Sequence, residues 1–443
     1  MIIRYFPGIL QYITIPVHKN ASLLLPTTKN GRWPVMVFSH GLGGSRNAYS
    51  HLIGSIASHG VVVIAPEHRD GSTPISYIRD VPSSNTSGGE KYFSQRQTKR
   101  TVDYLRLPHT PGPEVAAGRD AQLKIRLWEL GLIHSSLLAI DSGNLPVTTN
   151  LNLSSIPLDI FTGKLNVQEP GEISWAGHSF GAATITQFVK STFYSPLTSS
   201  APDSYTPLFT PSSRSPIISQ ITPQTPVILL DVWCLPLRSP ATRWLWDLPF
   251  PSYSPSPTAG QASPGGSALL CILSQAFFKW RVHLKATKRL LSPSPSSSSP
   301  SSIPPKKEPA FPPPHFYYIT SSAHLSQSDF GILFPYLVRK VLGAEEPERV
   351  LRLNTRAILQ LLRDGGIEVQ YTSARDVEVK TGEKGEVDAD EVMGMGIFSG
   401  ERETEREEGT EGKVRAWNWL STSLQGMEDV DDEEDSKGDS LST

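Results

Sequence analysis

Cysteine is nearly absent from this sequence, since the 443 residues contain only Cys234 and Cys271. Two cysteines can form at most one bridge, so a fold that depends on a framework of disulfides is excluded. A reducing compartment is the simplest setting for such a chain.

The chain also lacks an excess of charge of either sign. Lys and Arg together number 41 against 43 Asp and Glu, which gives a formal net charge of −2 at pH 7. A domain that binds nucleic acid needs a strong basic excess to offset the charge of the phosphate backbone. Nucleic acid is therefore not expected as a partner.

Long apolar runs are missing as well. The best candidate for a membrane-spanning helix, Ala268 to Phe278, is shorter than the roughly 18 residues required and is interrupted by Ser274 and Gln275. The first residues, Met1 to Pro7, lack the uninterrupted apolar core of a secretory signal. We therefore expect a cytoplasmic protein without signal peptide or transmembrane helix, which contacts membranes at most at their surface.

Hydrophobic residues make up only 38% of the chain, and its 38 prolines are clustered. Residues 239–266 and 292–314 are rich in Pro and Ser, and residues 399–443 are acidic. Such compositions bury too little apolar surface to offset the conformational entropy of the chain. We predict one α/β domain over residues 1–398, with disordered insertions at about 239–266 and 292–314, and a solvated tail over 399–443.

Residues 33–73 have the pattern of a strand, a glycine loop, a helix and a second strand. Val35 to Phe38 and Val61 to Ala65 are short apolar runs. Tyr49 to His59 between them is long enough for a crossover helix, which Gly60 would end. A connection of this kind places the two strands parallel in one sheet.

Further segments continue the alternation of strands and helices. Strands are predicted at Ile173 to Ala176, Val227 to Leu230, Leu269 to Leu273 and Phe316 to Ile319. Helices are predicted at Arg119 to Ile140, Ala182 to Val189, Ser328 to Leu342 and Asn354 to Leu362. The fold class is therefore α/β, with a mostly parallel sheet flanked by helices and with Ser/Pro-rich inserted loops.

The segment Gly177-His178-Ser179-Phe180-Gly181 fits the G-x-S-x-G pattern of a nucleophile elbow. In this motif of the α/β-hydrolase fold, a strand turns sharply into a helix and exposes a serine on strained backbone, and the flanking glycines prevent clashes. The pattern alone is weak, since an ordinary loop often matches it. Here it lies between a predicted strand and a predicted helix, which favours Ser179 as a nucleophile.

A base for Ser179 must follow it in the chain, because the order in this fold is Ser, then Asp or Glu, then His. Three histidines follow: His283 lies in a basic run, His315 comes after three prolines at the start of a strand, and His324 lies in a loop directly after the strand that ends at Ile319. The carboxyl end of a strand is where a parallel sheet presents functional side chains. We therefore predict His324 as the base, although a surface-loop histidine would match the same pattern.

The same reasoning selects the acid. Asp203 lies in a Ser/Pro loop and Asp247 among tryptophans, whereas Asp231 ends the strand Val227 to Leu230. Its carboxylate would hold the base in the correct tautomer and stabilise the imidazolium. The alternative for Asp231 is an ordinary turn residue after a strand.

A glycine loop, Ser39-His40-Gly41-Leu42-Gly43-Gly44, follows the first strand. Backbone N–H groups in such a loop, together with the N–H after the nucleophile, form the oxyanion hole of acyl-transfer enzymes. We assign Leu42 and Phe180 to this role. A phosphate-binding turn is the alternative, but the lysine of a P-loop and the spacing of a dinucleotide fingerprint are both missing.

Several segments together resemble the platelet-activating factor acetylhydrolases of the plasma and cytosolic type, from about Trp33 to Leu362. The segments that carry the resemblance are Val37 to Gly43, Ala57 to Gly60, Glu67 to Asp70, Gly177 to Thr184, Leu230 to Leu237, Ser322 to His324 and Asp329-Phe330. Both Ser/Pro insertions fall between the acid and the histidine. Since the first recognisable strand comes early in the sequence, we expect the strands that usually precede it in this family to be shortened or missing.

The resemblance implies an α/β-hydrolase that removes short or oxidised acyl chains from the sn-2 position of glycerophospholipids, independently of Ca²⁺ and without a cofactor. No His, Cys or Asp cluster in the sequence has the spacing of a metal site. The expected partner is thus a phospholipid substrate, and the oligomeric state is left open.

Two other functions stay open at this point. Pocket shape sets the choice of substrate, so a general carboxylesterase with another acyl ester is one alternative. A catalytically silent scaffold, which binds partners through the insertions and the tail, is the other.

Two aromatic clusters could dock at a membrane surface, where aromatic and basic side chains are favoured. One comprises Trp244, Leu245, Trp246, Leu248 and Phe250; the other comprises Phe277, Phe278 and Trp280 beside Lys279 and Arg281. The alternative is that they are buried in the core, as large aromatic side chains usually are.

Overall fold

A computed structural model describes residues 14–15, 17–79, 99–145, 157–256, 262–295, 311–370, 417–424 and 427. Residues 296–310 of the second predicted insertion lie outside this set, as do most residues of the predicted acidic tail. Within the described ranges, no helix combines the length and apolar character that crossing a membrane requires. Cys234 and Cys271 are both buried and form no disulfide.

The fold is built on a mostly parallel sheet of eight strands with an antiparallel hairpin beside it. The strands in chain order are β1 (Trp33–Ser39), β2 (Val62–Ile64), β3 (Ile75–Arg79), β4 (Lys99–Asp103), β5 (Leu165–Asn166), β6 (Ser174–His178), β7 (Val227–Leu230), β8 (Leu269–Ser274), β9 (His315–Ile319) and β10 (Trp417–Trp419). Their spatial order is β10-β9-β8-β7-β6-β1-β2, with β5 against the start of β1 and with β3 and β4 as the separate hairpin.

Helices connect and cover these strands. They are α1 (Ser50–Ser58), α2 (Pro113–Asp141), α3 (Phe180–Phe193), α4 (Ile217–Gln220), α5 (Arg243–Trp246), α6 (Gln275–Lys279), α7 (Arg281–Leu290), α8 (Asp329–Leu333), α9 (Pro335–Leu342) and α10 (Pro347–Asp364). The predicted α/β-hydrolase architecture, with a mostly parallel sheet flanked by helices, is confirmed.

Both faces of the sheet are buried, which is why its strands read as continuous apolar runs. Alternate residues of β1 point to opposite faces, as the period of a strand requires. Val35 and Val37 join a core cluster with α2 and α3, whereas Met36 and Phe38 join a second cluster with α1 and α10. The core therefore consists of two layers, one on each face of the sheet.

The last predicted helix pair differs from the structure in one respect. The segment expected as a single helix from Ser328 to Leu342 is two helices, α8 and α9, interrupted at Phe334, whose φ is −131°. Pro335 explains the break, because a proline disfavours helical backbone at the preceding residue and lacks the N–H that a continuous helix would need.

The first predicted insertion is not a disordered loop over its described residues. Residues 239–256 form short helical turns, and Thr242, Trp246, Phe250 and Tyr253 among them are buried. Lys190 of α3 donates to the carbonyl groups of Leu245, at 3.1 Å, and Leu248, at 2.6 Å. The high content of Pro and Ser was misleading here, because the aromatic residues between them supply enough buried surface to order the segment.

Two sheet elements were not expected from the sequence. The hairpin β3–β4 joins strands on either side of residues 80–98, which lie outside the described set. Strand β10 lies within the segment predicted as a solvated tail, yet it pairs antiparallel with β9, and Met427 beyond it is buried. These residues therefore differ from the solvated tail that was predicted. A short aromatic stretch around Trp417 and Trp419 interrupts the acidic composition of the segment.

The turn from β6 into α3 requires glycine at position 181. A Cβ atom there would lie 2.0 Å from the carbonyl oxygen of Ser39, which is backbone and has no room to move away. We expect Gly181→Ala to reduce the free energy of unfolding by at least ~3 kcal/mol, since the strand and the helix would have to separate. Denaturant unfolding of the purified variant measures this.

Gly54 provides the matched control, because it lies inside α1 and a Cβ atom there would meet no atom within 4 Å. We expect Gly54→Ala to stabilise the protein by up to ~1 kcal/mol, as alanine is the better helix former. Equal unfolding midpoints for Gly181→Ala and the wild type would contradict the close approach of α3 to β1.

Candidate active site

Ser179 occupies a strained turn between β6 and α3. Its φ of 57° and ψ of −119° are rare for a residue with a side chain and cost of order 1–3 kcal/mol. Gly177 permits the turn, because a Cβ atom there would lie 2.5 Å from the carbonyl carbon of Gly181. The N–H of Ser179 donates to the carbonyl of Leu230 at 2.8 Å, which ties the turn to the end of β7.

The three residues predicted as nucleophile, base and acid lie together at one edge of the sheet. Ser179 Oγ is 3.0 Å from His324 Nε2, and His324 Nδ1 is 2.9 Å from Asp231 Oδ2. They follow β6, β9 and β7, whose parallel alignment brings their carboxyl ends to the same edge. The geometry is that of a hydroxyl, an imidazole and a carboxylate linked in series.

The rejected candidates lie elsewhere. His283 accepts a hydrogen bond from the N–H of Cys234 at 3.2 Å, and burial lowers the pKa of its imidazole to about 3. His315 begins β9 at the end of the strand opposite to His324. Asp247 forms ion pairs with arginines, and Asp203 is exposed.

Asp231 is held in place by Ser274, a residue for which no sequence motif predicted a role. Its side chain is fully buried, and Oδ1 accepts a hydrogen bond from the N–H of Ser274, the last residue of β8, at 2.6 Å. Oδ2 is left for His324, whose Nδ1 must then carry the proton. That tautomer leaves Nε2 as the acceptor for the hydroxyl of Ser179.

The imidazole of His324 lies between two rings. Phe277 stacks on one side at 4.4 Å between centroids and 8° between planes, and His178 lies on the other at 4.4 Å and 33°. The Gly41 N–H donates to the Tyr49 hydroxyl at 3.0 Å, and that hydroxyl is 2.8 Å from His178 Nδ1. A hydroxyl can accept one hydrogen bond and donate another, so it is able to donate its proton to Nδ1 of a neutral His178.

His178 is therefore a neutral neighbour of the proposed base. Burial, and then the charge that His324 can carry, hold the pKa of His178 well below its ordinary value. A neutral ring beside His324 avoids repulsion when His324 becomes an imidazolium. The sequence indicated no role for this residue beyond its place in the motif.

Among the described residues, the group formed by His178, Asp231 and His324 has ligand atoms within 4.8 Å of one another, close enough to consider a metal ion. The arrangement fits a metal poorly. The two imidazoles lie face to face, with centroids 4.4 Å apart and planes tilted by 33°, which is unlike two rings that point their nitrogen atoms at one ion. Both Nδ1 atoms are already engaged in hydrogen bonds. The cluster is better suited to moving a proton.

The glycine loop after β1 lies against Ser179. A Cβ atom on Gly41 would be 3.1 Å from the Cβ of Ser179, and Leu42, Gly43 and Ser179 line one cavity. Within the described part of the chain, the N–H groups of Leu42 and Phe180 donate to no protein acceptor. Both residues assigned from the sequence therefore carry an available donor next to the serine.

The cavity in front of Ser179 has a volume of about 360 Å³. Its walls are largely apolar and comprise Leu42, Trp233, Phe277, Trp280, Leu325 and Phe330. Ser179 and His324 also contact this space. A small apolar group can thus lie beside the hydroxyl of Ser179.

The two aromatic clusters considered for membrane docking are mostly inside the protein. Leu245, Trp246 and Phe250 are buried in the core, and Phe277 is buried against His324. Trp280 is half-buried and lines the cavity. The core reading therefore holds for these four buried side chains, whereas Trp244, Leu248, Phe278 and Trp280 are half-buried and docking by them stays a prediction.

A second series of serine, histidine and carboxylate occurs in the interior. Ser39 Oγ is 2.9 Å from His68 Nε2, and His68 Nδ1 is 2.7 Å from Glu129 Oε2. Burial raises the pKa of Glu129 to about 7 and holds that of His68 well below its ordinary value. Ser39 and His68 are fully buried and do not line the cavity, so no substrate reaches them.

Comparisons with known proteins found a matching family model and several related proteins. Residues 2–243, more than half of the chain, match the family model of platelet-activating factor acetylhydrolase, isoform II. A protein of Schizosaccharomyces pombe with the name "Putative phospholipase A2" is 29% identical over 382 residues, which are 83% of this chain and 75% of that protein.

Two vertebrate proteins named platelet-activating factor acetylhydrolase also match over shorter stretches. The protein of Bos taurus is 35% identical over 175 residues, which are 40% of this chain and 35% of its own length. That of Gallus gallus is 31% identical over 191 residues, which are 42% of this chain and 40% of its own length. The aligned part thus spans well under half of these vertebrate relatives.

The two serine series differ in access, and a reactive phosphonate can distinguish them. We expect a fluorophosphonate probe to modify Ser179 and to leave Ser39 unmodified, as peptide mass spectrometry of the labelled protein will show. Asp231→Asn should slow the labelling by a factor on the order of 10³ to 10⁴, because an amide facing Nδ1 favours the wrong tautomer of His324. Label on Ser39, or undiminished labelling in Asp231→Asn, would contradict the assignment.

Proposed function

The chain belongs to the platelet-activating factor acetylhydrolase family, and from that premise we propose that it is a Ca²⁺-independent serine hydrolase that removes short or oxidised sn-2 acyl groups from glycerophospholipids. The observation that carries the proposal is the series Ser179, His324, Asp231 at a cavity with apolar walls. The reaction class would be that of a 1-alkyl-2-acetylglycerophosphocholine esterase.

In the first half of the reaction, Ser179 Oγ attacks the carbonyl carbon of the sn-2 ester. His324 Nε2 takes the proton of the hydroxyl, and the buried carboxylate of Asp231 stabilises the imidazolium without accepting the proton itself. The tetrahedral intermediate carries its negative charge on the former carbonyl oxygen. The N–H groups of Leu42 and Phe180 would donate to that oxygen.

The intermediate collapses when the bond to the glycerol oxygen breaks. His324 gives its proton to that oxygen, and the lysophospholipid leaves while the acyl group stays on Ser179. A water molecule then attacks the acyl-enzyme, with His324 as base again. The products of this second half are the short carboxylic acid and the free serine.

Each charge that develops on this route has a partner within the protein. The oxyanion has two backbone donors, and the imidazolium has the carboxylate of Asp231. Electrostatic stabilisation of this kind is often the largest single contribution to an enzyme's rate. The route therefore assigns no role to Ca²⁺, and removal of the ion should not change the rate.

The cavity supports the preference for short acyl groups. Its volume of about 360 Å³ is at the lower end of the range of small-molecule sites, which is roughly 300–1,000 Å³. Phe277 and Trp233 form part of its walls, so a chain that extends far past the ester would have to displace large side chains. Pocket shape alone does not distinguish the phospholipid from another acyl ester, so the substrate must be tested directly.

The test is release of acetate from a 2-acetyl glycerophospholipid, compared with release of the fatty acid from a long-chain 2-acyl analogue, in the presence of a chelator. We expect the wild type to hydrolyse the acetyl substrate in chelator and to prefer it over the long-chain analogue. Ser179→Ala should lower the rate by a factor on the order of 10⁴ to 10⁶, since triad members act as a unit.

Ser191→Ala is the matched control, because this buried serine lies on the same helix and does not line the cavity. Its rate should stay within about twofold of the wild type. Labelling of Ser179 by a fluorophosphonate without turnover of either phospholipid would instead indicate a carboxylesterase with another substrate. A protein with neither labelling nor turnover would be the silent scaffold.

A further inference from the structure

A buried guanidinium lies directly behind the glycine loop and does not line the substrate cavity. The side chain of Arg126, on α2, is fully inaccessible to solvent and pairs with the equally buried carboxylate of Asp70, with 2.7 Å between Nε and Oδ2. All three nitrogen atoms of the guanidinium donate hydrogen bonds. The group therefore has a single, fixed orientation.

The contacts of Arg126 hold the backbone on both sides of Leu42. Nη1 donates to the carbonyl of His40 at 2.8 Å, and Nη2 donates to the hydroxyl of Ser72. The carbonyl of Ser72 in turn accepts the N–H of Gly43 at 2.7 Å. Because the groups before and after Leu42 are both fixed, the direction of the Leu42 N–H is fixed as well.

The same guanidinium contacts the first turn of α3. Its central carbon is 4.4 Å from the centroid of the Phe180 ring, a cation–π contact. Nη1 also donates to the hydroxyl of Thr184 at 3.3 Å, and that hydroxyl donates to the carbonyl of Phe180 at 2.8 Å. Phe180 is thus held through its ring and through its backbone.

Asp70 keeps this guanidinium in place. Its Oδ1 accepts from the N–H of Ser72 at 3.2 Å and from the hydroxyl of Ser72 at 2.5 Å. Although burial alone would raise the pKa of Asp70, the charge of Arg126 and the bonds from Ser72 keep it below its ordinary value. The carboxylate is therefore ionised at neutral pH, and the pair stays intact.

We propose that Arg126, held by Asp70, is a positioning residue that aligns the N–H groups of Leu42 and Phe180 as one oxyanion hole. Tyr49 also links the glycine loop to the nucleophile turn, but it does so through Gly41 and His178, whereas Arg126 contacts Phe180 itself. A buried ion pair adds little to stability compared with an apolar replacement, so its contribution here is to geometry. The inference rests on the proposed function, because it assigns these N–H groups to an acyl-transfer reaction.

Replacing the carbonyl oxygen of the substrate ester by sulfur distinguishes a role of Arg126 in the oxyanion hole from a general structural role. Oxygen in a C=O group becomes a strong acceptor when it carries negative charge, whereas sulfur in a C=S group is a weak acceptor. A misaligned oxyanion hole should therefore slow an oxygen ester much more than its thiono analogue. Damage to Ser179 or His324 should slow both.

The experiment compares 4-nitrophenyl acetate with 4-nitrophenyl thionoacetate, in which C=S replaces C=O, on purified full-length protein. Arg126→Lys keeps the charge beside Asp70 but loses the fork that reaches His40 and Ser72. We expect kcat for the oxygen ester to fall on the order of 10- to 100-fold, with KM within about threefold of the wild type. The thiono ester should change by less than about threefold, so the ratio of the oxygen-ester rate to the thiono-ester rate falls by at least about threefold.

Two further variants make the result decisive. Ser72→Ala removes only one hydroxyl and should lower the ratio in the same direction by a smaller factor, even if Arg126→Lys does not fold. Arg32→Lys is the matched control. Arg32 Nη1 is 2.8 Å from Oδ2 of Asp141, which ends the helix that carries Arg126. This variant should leave both rates unchanged.

An equal loss of rate on both esters, or an unchanged ratio in both Arg126→Lys and Ser72→Ala, would overturn the inference while leaving the proposed function intact. A wild type that hydrolyses neither ester and takes up no fluorophosphonate would instead overturn the proposed function and this inference together.

Discussion

The contact between the start of α3 and the end of β1 is the constraint on which the candidate site depends. Gly181 packs so closely on Ser39 that a single added carbon atom would lie 2.0 Å from a carbonyl oxygen. This approach brings the glycine loop beside Ser179 and forces the serine into its strained turn. The backbone is also strained at Asp231, whose φ is 43°, and at Ser321, three residues before His324, whose φ is 52°. Parallel strands and buried hydrogen bonds stabilise the three loops and offset the energetic cost of this backbone strain.

Hydrogen bonds from neighbouring groups then orient the side chains of the candidate site. Ser274 directs one carboxylate oxygen of Asp231 away from His324, and burial keeps His178, which Tyr49 contacts at Nδ1, neutral beside the same imidazole. Each of these contacts is made by a backbone group or by a side chain from a distant part of the chain. The chemistry of Ser179 is therefore a property of several elements, assembled where their ends meet.

The sequence predicted the fold class, the strands of the parallel sheet and the three side chains that now lie in series. Periodicity and chain order were sufficient for this, because a parallel sheet brings its carboxyl ends to one edge and the G-x-S-x-G turn restricts what can follow. The catalytic roles of Ser179, Asp231 and His324 stay a prediction until they are measured. Composition was less informative, since buried aromatic residues order segment 239–256 in spite of its prolines and serines. The partners Ser274, Tyr49 and Arg126 have no local signal, because only long-range pairing brings them to the site.

The domain contains two series of serine, histidine and carboxylate, and comparing them indicates what a serine needs besides these three side chains in order to react with a substrate. Both have hydrogen-bond lengths suited to proton transfer, at 2.9 and 2.7 Å in the interior series and 3.0 and 2.9 Å at the cavity. Ser39, however, is the last residue of the regular strand β1 and is buried, whereas Ser179 lies on a strained turn and lines the cavity. Ser179 is also followed by a helix whose first N–H is unused, and the glycine loop faces it. We therefore expect access and the donors for a developing oxyanion, more than the three side chains, to decide which serine is able to act as a nucleophile.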